Sequence, residues 1–130
     1  MALSRGELYR YHYLWSREHE RNEVSGRKYR PVCLVVRSAA KPASLFLFPL
    51  TSQKPAVGVV ALEISGPECR HAGLQHPCWI ILEEYNRLTE DELYDFESLM
   101  PIGRFGEATM RQIAKGIKHA AELRRLLESC

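Results

Sequence analysis

Two short apolar blocks constrain the fold of this chain most, because each carries polar side chains at one end only. The first, residues 30–36 (RPVCLVV), opens with an arginine. The second, residues 45–53 (LFLFPLTSQ), closes with two hydroxyls and an amide. Their apolar, β-branched and aromatic content is typical of strands. If the two strands are antiparallel neighbours, Arg30 lies beside Thr51 and Ser52 at one rim of a sheet.

This predicted rim has the chemistry of a phosphate site. The planar guanidinium of an arginine matches two phosphate oxygens at once, and adjacent hydroxyls donate further hydrogen bonds. Arginine also stabilises the charge that builds on a phosphoryl group in a transition state. A plainer interpretation stays open, in which Arg30 pairs with a loop carboxylate such as Glu20 or Glu23. Thr51 and Ser52 would then bond to nearby backbone as ordinary turn residues.

Size and composition limit the classes of protein to consider. The chain of 130 residues is expected to form one domain, residues 1–130, and its 45% hydrophobic and 26% charged residues are typical of a soluble globular protein. With a net charge of +2, nucleic-acid binding requires a local basic patch. The first residues lack the apolar core of a signal peptide, and no run reaches the length of a membrane span. We therefore expect a cytoplasmic protein with reduced thiols and no membrane association.

The hydrophobic pattern predicts a mainly β fold that ends in a helix. Five strands are expected, at residues 7–15, 32–37, 45–50, 59–64 and 79–85. Residues 16–29 are expected to form a long charged loop, and residues 65–77 an irregular segment. Thr89, followed by acidic residues, predicts the start of a short helix, and residues 106–121 predict an amphipathic helix. Short strands joined by long loops and followed by helix describe a small, strongly bent sheet or half-barrel.

Two groups of side chains have a functional and a plain interpretation. Cys69, His71, His76 and Cys78 contain the ligand types of a zinc site, but one residue between ligands is tighter than the usual spacing. We interpret them as free thiols and surface histidines, and we predict no metal or cofactor. A basic patch with aromatic stacking platforms is as consistent with the sequence as a scattered solvated face. Its members would be Arg27, Lys28, Arg30, Arg70, Arg87, Tyr11, Tyr13 and Trp15.

Several motifs, taken in order, resemble the MazF/PemK toxins of bacterial toxin–antitoxin pairs. Residues 6–9 (GELY) match the start of the family's first strand, and residues 26–32 (GRKYRPV) resemble its Gly-x-Arg-Pro motif. Residues 49–52 (PLTS) are close to its Pro-hydrophobic-Thr-Ser signature. Residues 62–64 (LEI) and 80–83 (IILE) resemble its later strand pair. Each motif is weak alone, but their order and intervals together indicate this family.

The resemblance implies a small SH3-like barrel of about five to seven strands with a C-terminal amphipathic helix. Family members are usually homodimers that cut single-stranded RNA without a metal, and each is paired with an antitoxin protein. By position, Arg30 would contact the scissile phosphate as acid or charge stabiliser, Thr51 would hydrogen-bond it, and Glu83 would be the general base. The residues implied to bind RNA are Ser52, Gln53, Arg27, Lys28, Asn86 and Arg87.

The chain also departs from the family pattern. The first loop lacks the usual Gly-x-Glu-Gln element, and Ile81 stands where a basic residue is common. The family's later arginine aligns with Asn86, one residue before Arg87. Because a fold does not fix a function, two alternatives to an endoribonuclease stay open. They are a non-catalytic nucleic-acid- or protein-binding module on the same barrel, and a toxin directed at DNA gyrase.

Overall fold

Seven strands and two helices make up the part of the chain that the computed structural model describes, residues 3–15 and 29–128. The strands are β1 (Glu7–Tyr11), β2 (Arg30–Arg37), β3 (Ser44–Thr51), β4 (Ala61–Ile64), β5 (Cys78–Ile81), β6 (Asn86–Thr89) and β7 (Gly103–Arg104). The helices are α1 (Gly66–Ala72) and α2 (Glu107–Glu128). Neither helix combines the length with the apolar content that a membrane span requires within these described ranges.

All strand pairs are antiparallel, and β3 is the centre of the sheet. The order is β4-β5-β3-β2-β1-β7, and β6 pairs with the first half of β3 while β5 pairs with its end. This pairing bends the sheet into a half-barrel. The predicted class is therefore confirmed: a mainly β fold within the expected range of strands, ending in a helix. β6 and β7 are additions to the five strands that the pattern predicted.

The core lies on both faces of the sheet. β2 buries four residues in a row, and successive side chains enter different clusters because a strand alternates its side chains between faces. Cys33 and Val35 pack in the cluster that α2 covers through Ile113, whereas Val32 and Leu34 pack in the cluster enclosed by the curled sheet. β5 divides in the same way, with Ile80 and Ile81 in opposite clusters. This explains its continuous apolar sequence.

The prediction of an irregular segment over residues 65–77 was wrong for its first half, where α1 forms. The Ser65 side chain accepts a hydrogen bond from the Glu68 N–H at 3.2 Å and caps the start of the helix. Pro67 occupies the first turn, where a missing N–H costs nothing. Gly73 ends the helix with φ of 77°, a left-handed conformation that favours glycine. These helix signals are present in the sequence but too closely spaced for hydrophobic periodicity to reveal.

The short helix predicted from Thr89 was also wrong. Thr89 ends β6 instead, and its hydroxyl donates to Glu92 Oε1 at 2.6 Å, which closes a turn. Glu90 is held against the sheet by Arg37, whose guanidinium lies 2.5 Å from its carboxylate. The Thr89 hydroxyl donates to a carboxylate here, whereas a capping hydroxyl accepts from a backbone N–H, and strand pairing and the ion pair hold the backbone in another shape.

Glu68 joins α1 to the start of α2. Its Oε2 accepts hydrogen bonds from Thr109 Oγ1 at 2.5 Å and from the Gly106 N–H at 2.9 Å. The first of these bonds, with help from the second, holds the pKa of the Glu68 carboxyl below its usual range, against the opposing effect of burial. A carboxylate near the N-terminus of a helix also interacts favourably with the helix dipole.

We expect Glu68→Gln to lower the free energy of unfolding by about 1 kcal/mol at neutral pH, allowing for solvent screening. Because the pKa is depressed in the folded state, this contribution is present above the unfolded value of about 4.3 and is lost as the pH falls through the folded value. Urea unfolding at neutral and acidic pH measures the difference. Glu122→Gln, on the exposed surface of α2, is the control. A Glu68 effect that grows on acidification would contradict this account.

Candidate functional site

A cavity of about 460 Å³ opens where β2 begins and β3 ends. The register of these strands pairs Val32 with Pro49, and continuing it by two residues sets Arg30 opposite Thr51. Arg30, Thr51 and Ser52 all line this cavity, which we call the strand-end cavity. The structure thus brings together three side chains that the sequence placed at one rim.

Arg30 is half-buried and oriented by an aromatic ring. Its guanidinium carbon lies 5.2 Å from the centroid of the buried Trp15 ring, within the range of a cation–π interaction. Burial lowers the pKa of Arg30, but an arginine stays protonated at neutral pH. The site therefore holds a permanent positive charge that is partly shielded from water, where it attracts an anion more strongly than on an open surface.

Thr51 combines a turn contact with access to the cavity. Its Oγ1 accepts a hydrogen bond from the Gln53 N–H at 3.1 Å, the turn chemistry that was the plainer interpretation. A hydroxyl has one donor in addition to its acceptor lone pairs. Here the donor makes only a long contact of 3.5 Å with the Gln53 carbonyl, so it can turn to a bound oxyanion. Gln53 itself is exposed and contributes through its backbone.

Three polar residues of the cavity were not identified from the sequence: Arg10, Tyr29 and Gln75. Arg10 comes from β1, where it pairs with Pro31, the neighbour of Arg30. Its Nε donates to Glu97 at 2.7 Å. The alternation of β1 could have revealed Arg10, since the residues on either side of it are buried. Gln75 follows the helix-ending glycine of α1, and its position depends on a tertiary packing that no local pattern shows.

The cavity is also lined by less polar residues, which include Leu74, Ile102 and Cys78. Burial raises the pKa of Cys78 to about 12, so this thiol is protonated and a poor nucleophile at neutral pH. Cys69 is buried beside it, whereas His71 and His76 are exposed. Across the described residues, no three histidine, cysteine or acidic side chains converge as metal ligands. The four residues of the zinc alternative therefore do not form one site.

Glu83 lies in a different cavity. It lines a groove of about 720 Å³ between the sheet and α2, together with Leu82, Tyr85 and Ile117; we call this the helix groove. The Glu83 carboxylate accepts a hydrogen bond from the Val60 backbone N–H. The neighbouring departure from the family pattern, Ile81, is buried in the core enclosed by the sheet. This part of the chain therefore does not reach the strand-end cavity.

We expect Glu83→Gln to leave any RNA cleavage within about threefold of the wild type, because the amide oxygen still accepts from Val60 N–H and removal of a catalytic base would cost about 10²–10⁴-fold. Single-turnover cleavage rates measure this. A hundredfold loss with an unchanged Tm would instead give Glu83 the role of base that the resemblance implies.

The other predicted RNA-binding residues divide into two groups. Asn86 holds the backbone of Leu14, accepting from its N–H at 2.8 Å and donating to its carbonyl at 2.9 Å. Arg87 donates to Ser44 at 3.1 Å and pairs with Phe46, roughly 17 Å along β3 from Thr51. The structure therefore brings neither side chain into the strand-end cavity. Arg27 and Lys28 lie outside the described residues.

Three aromatic residues proposed as stacking platforms are buried. Tyr11, Tyr13 and Trp15 are at most 8% exposed and belong to the core enclosed by the sheet. The Tyr13 hydroxyl donates to Glu84 at 3.1 Å, and burial raises its pKa. Their alternation in the sequence resembled a surface, but closure of the sheet covers them, so they cannot stack on a base.

Two solved structures are similar to this chain. The first is an endoribonuclease in complex with its cognate antitoxin from a mycobacterial species, with a TM-score of 0.63, 17% identity, and coverage of 94% of this chain and 97% of that chain. The second is the Mycobacterium tuberculosis toxin MazF-mt6, with a TM-score of 0.58, 15% identity, and coverage of 89% and 96%. The chain has the MazF fold. No protein-family model and no curated protein matches the sequence.

The MazF fold confirms the architecture that the motifs implied. Identities of 15% and 17% establish the fold alone, since one fold hosts many activities. The site residues must therefore be argued from this chain's own geometry. On that geometry, the strand-end cavity is the candidate active site, and the helix groove is a separate surface.

Proposed function

We propose that this protein is a toxin-like endoribonuclease that cleaves single-stranded RNA in the strand-end cavity without a metal ion. The observation that carries the proposal is the convergence of Arg30, Thr51 and Ser52 on one cavity in a chain with the MazF fold. A guanidinium beside two hydroxyls suits a phosphodiester, and the cavity volume suits a nucleotide-sized ligand.

In the proposed reaction, Arg30 binds the scissile phosphate and Thr51 donates a hydrogen bond to it. The ribose 2′-oxygen loses its proton, attacks the adjacent phosphorus, and the bond from phosphorus to the 5′-oxygen breaks. No carboxylate or imidazole is among the described residues lining the cavity, so we assign acceptance of the 2′-proton to solvent water. The departing 5′-oxygen takes up a proton from solvent water, which balances the proton lost from the 2′-oxygen. Arg30 stabilises the extra charge on the phosphoryl oxygens.

The products identify this chemistry. Purified protein incubated with end-labelled RNA in EDTA is expected to give a 2′,3′-cyclic phosphate and a 5′-hydroxyl, and an all-DNA strand of the same sequence is expected to stay intact because it lacks the 2′-oxygen. Cleavage only after addition of a divalent ion, or cleavage of the DNA strand, would overturn the mechanism. Intact RNA across varied sequences would favour the binding module, and inhibition of DNA supercoiling would favour the gyrase-directed toxin.

We also propose that the protein forms a homodimer through the helix groove. Leu123, Leu127 and Tyr85 line this groove and are 39%, 76% and 51% exposed, and such an apolar face is typical of a protein interface. The double variant Leu123→Glu, Leu127→Glu is expected to be monomeric by light scattering. A wild type that is itself monomeric at high concentration would overturn this proposal.

A cognate antitoxin is the second proposed partner, because one structurally similar endoribonuclease was solved in complex with its antitoxin. We propose that both proteins act in the cytoplasm, where RNA is available. Expression of this chain is expected to arrest growth, and co-expression of its cognate antitoxin is expected to relieve the arrest. Growth arrest that persists with a catalytically silent variant would contradict a toxic ribonuclease.

A further inference from the structure

Tyr29 is the aromatic residue at the strand-end cavity. It directly precedes Arg30 and lines the cavity with it, and its ring is only partly buried. On one face it stacks on His12, with ring centroids 3.9 Å apart and planes inclined by 20°. This is a parallel stacking geometry rather than the edge-to-face contacts that Tyr11 makes with Phe96 in the core.

Both members of this ring pair are held by backbone contacts. The Tyr29 carbonyl accepts a hydrogen bond from Arg10 at 3.4 Å, and Arg10 is itself fixed by Glu97 at 2.7 Å. The backbone N–H of His12 donates to the Asp95 carbonyl at 2.9 Å. The backbone at Tyr29 and at His12 is therefore anchored from β1 and from the segment before β7, and the stack on His12 orients the Tyr29 ring. A ligand that uses this ring does not have to order it first.

We propose that Tyr29, backed by His12, is the stacking platform for the RNA base next to the phosphate bound by Arg30. His12 covers one face of the tyrosine, so the base stacks on the other. Tyr29 and Arg30 line the same cavity, so a ligand that fills it meets both residues. This inference rests on the proposed function, because it takes the occupant of the cavity to be single-stranded RNA. Stacking tolerates any base and adds affinity without reading sequence.

Binding to an uncleavable RNA tests the platform separately from catalysis. The probe is a fluorescein-labelled 2′-O-methyl RNA of random sequence, about 12 nucleotides long, followed by anisotropy. Tyr29→Leu keeps apolar bulk and is expected to weaken binding about 5- to 100-fold. Tyr29→Phe keeps the ring and is expected to stay within about twofold. Tyr94→Leu removes a tyrosine that is 84% exposed and outside the cavity, and it serves as the matched control.

A second measurement uses the wild-type protein and does not depend on the folding of a variant. A 2-aminopurine version of the probe is expected to lose fluorescence on binding, because stacking on an aromatic ring quenches it. Unchanged emission in the bound state would overturn the platform. Wild-type affinity for the probe in a folded Tyr29→Leu protein would also overturn it. An equal loss of affinity in Tyr29→Phe and Tyr29→Leu would do the same, because the hydroxyl and not the ring would then make the contact.

The outcomes for the platform and for the nuclease can be told apart. If the wild type cleaves unmodified RNA while Tyr29→Leu binds the probe normally, the platform fails and the proposed function stands. If the wild type binds the probe through Tyr29 but leaves unmodified RNA intact, the platform stands and the nuclease fails. If the wild type neither binds the probe nor cleaves RNA, the platform and the nuclease proposals both fail.

Discussion

Replacing Arg30 with alanine is expected to lower RNA cleavage about 10³-fold, an increase of about 4 kcal/mol in the activation barrier. Among the described residues that line the strand-end cavity, the positively charged side chains are Arg30 and Arg10. Arg30 is partly buried beside Trp15, so less water screens its charge and its attraction for a phosphate is stronger. The alanine variant removes the charge and the bidentate fork together.

Arg30→Lys separates charge from geometry. Lysine keeps a positive charge but lacks the planar fork, so we expect a loss of about 10- to 100-fold, between the wild type and the alanine variant. Arg111→Ala, an exposed arginine on α2, is the control and is expected to cleave normally. Single-turnover rates, with the protein in excess of the RNA and above the dissociation constant, isolate the chemical step. Equal rates for wild type and a folded Arg30→Ala protein would remove Arg30 from the mechanism.

Replacing Gly103 with alanine is expected to lower the free energy of unfolding by about 2 kcal/mol, because the added methyl group has no room. A Cβ at position 103 would lie 2.1 Å from the carbonyl oxygen of Ala72, the last residue of α1. A backbone atom cannot move aside as a flexible side chain can. β7 would therefore have to separate from α1, although it is also held to β1 opposite Leu8.

The same substitution should disturb the candidate active site. Ile102, the residue before β7, and Gly73, the residue after α1, both line the strand-end cavity. We expect Gly103→Ala to lower the Tm by about 5–10 °C and to weaken RNA binding at temperatures where the protein is still folded. Gly66→Ala is the control, because its Cβ would make only ordinary contacts, the nearest at 3.6 Å. A Gly103 variant as stable as the wild type would show that α1 and β7 are not packed this closely.

Much of the architecture could be predicted because it depends on local patterns. β2 and β3 were evident as apolar runs, and their antiparallel pairing followed from a short connection. α2 was evident from residues that recur with the helical period, of which Met110 and Ile113 are buried. The prediction that Arg30 lies beside Thr51 required only this register, since in antiparallel neighbours the start of one strand adjoins the end of the other.

Errors occurred where a local signal competed with a long-range contact. Thr89 and the acidic residues after it are typical of the start of a helix. Pairing with β3 and the ion pair between Glu90 and Arg37 instead make Thr89 the end of a strand. Tyr13 alternates like a half-exposed strand residue, yet curling of the sheet buries it. The role of Glu83 as a base stays a prediction, and the structure places this residue in the helix groove beside α2.

The sequence by itself determined five of the seven described strands, the terminal helix and the proximity of Arg30 to Thr51, because hydrophobic period and antiparallel register act between near neighbours along the chain. Only the tertiary structure decided which other residues line the strand-end cavity. Tyr29 is placed there by stacking on His12, and Gln75 by the turn after α1. Such contacts depend on how a whole sheet curls and where a helix docks, and those are properties of the packed chain rather than of any segment.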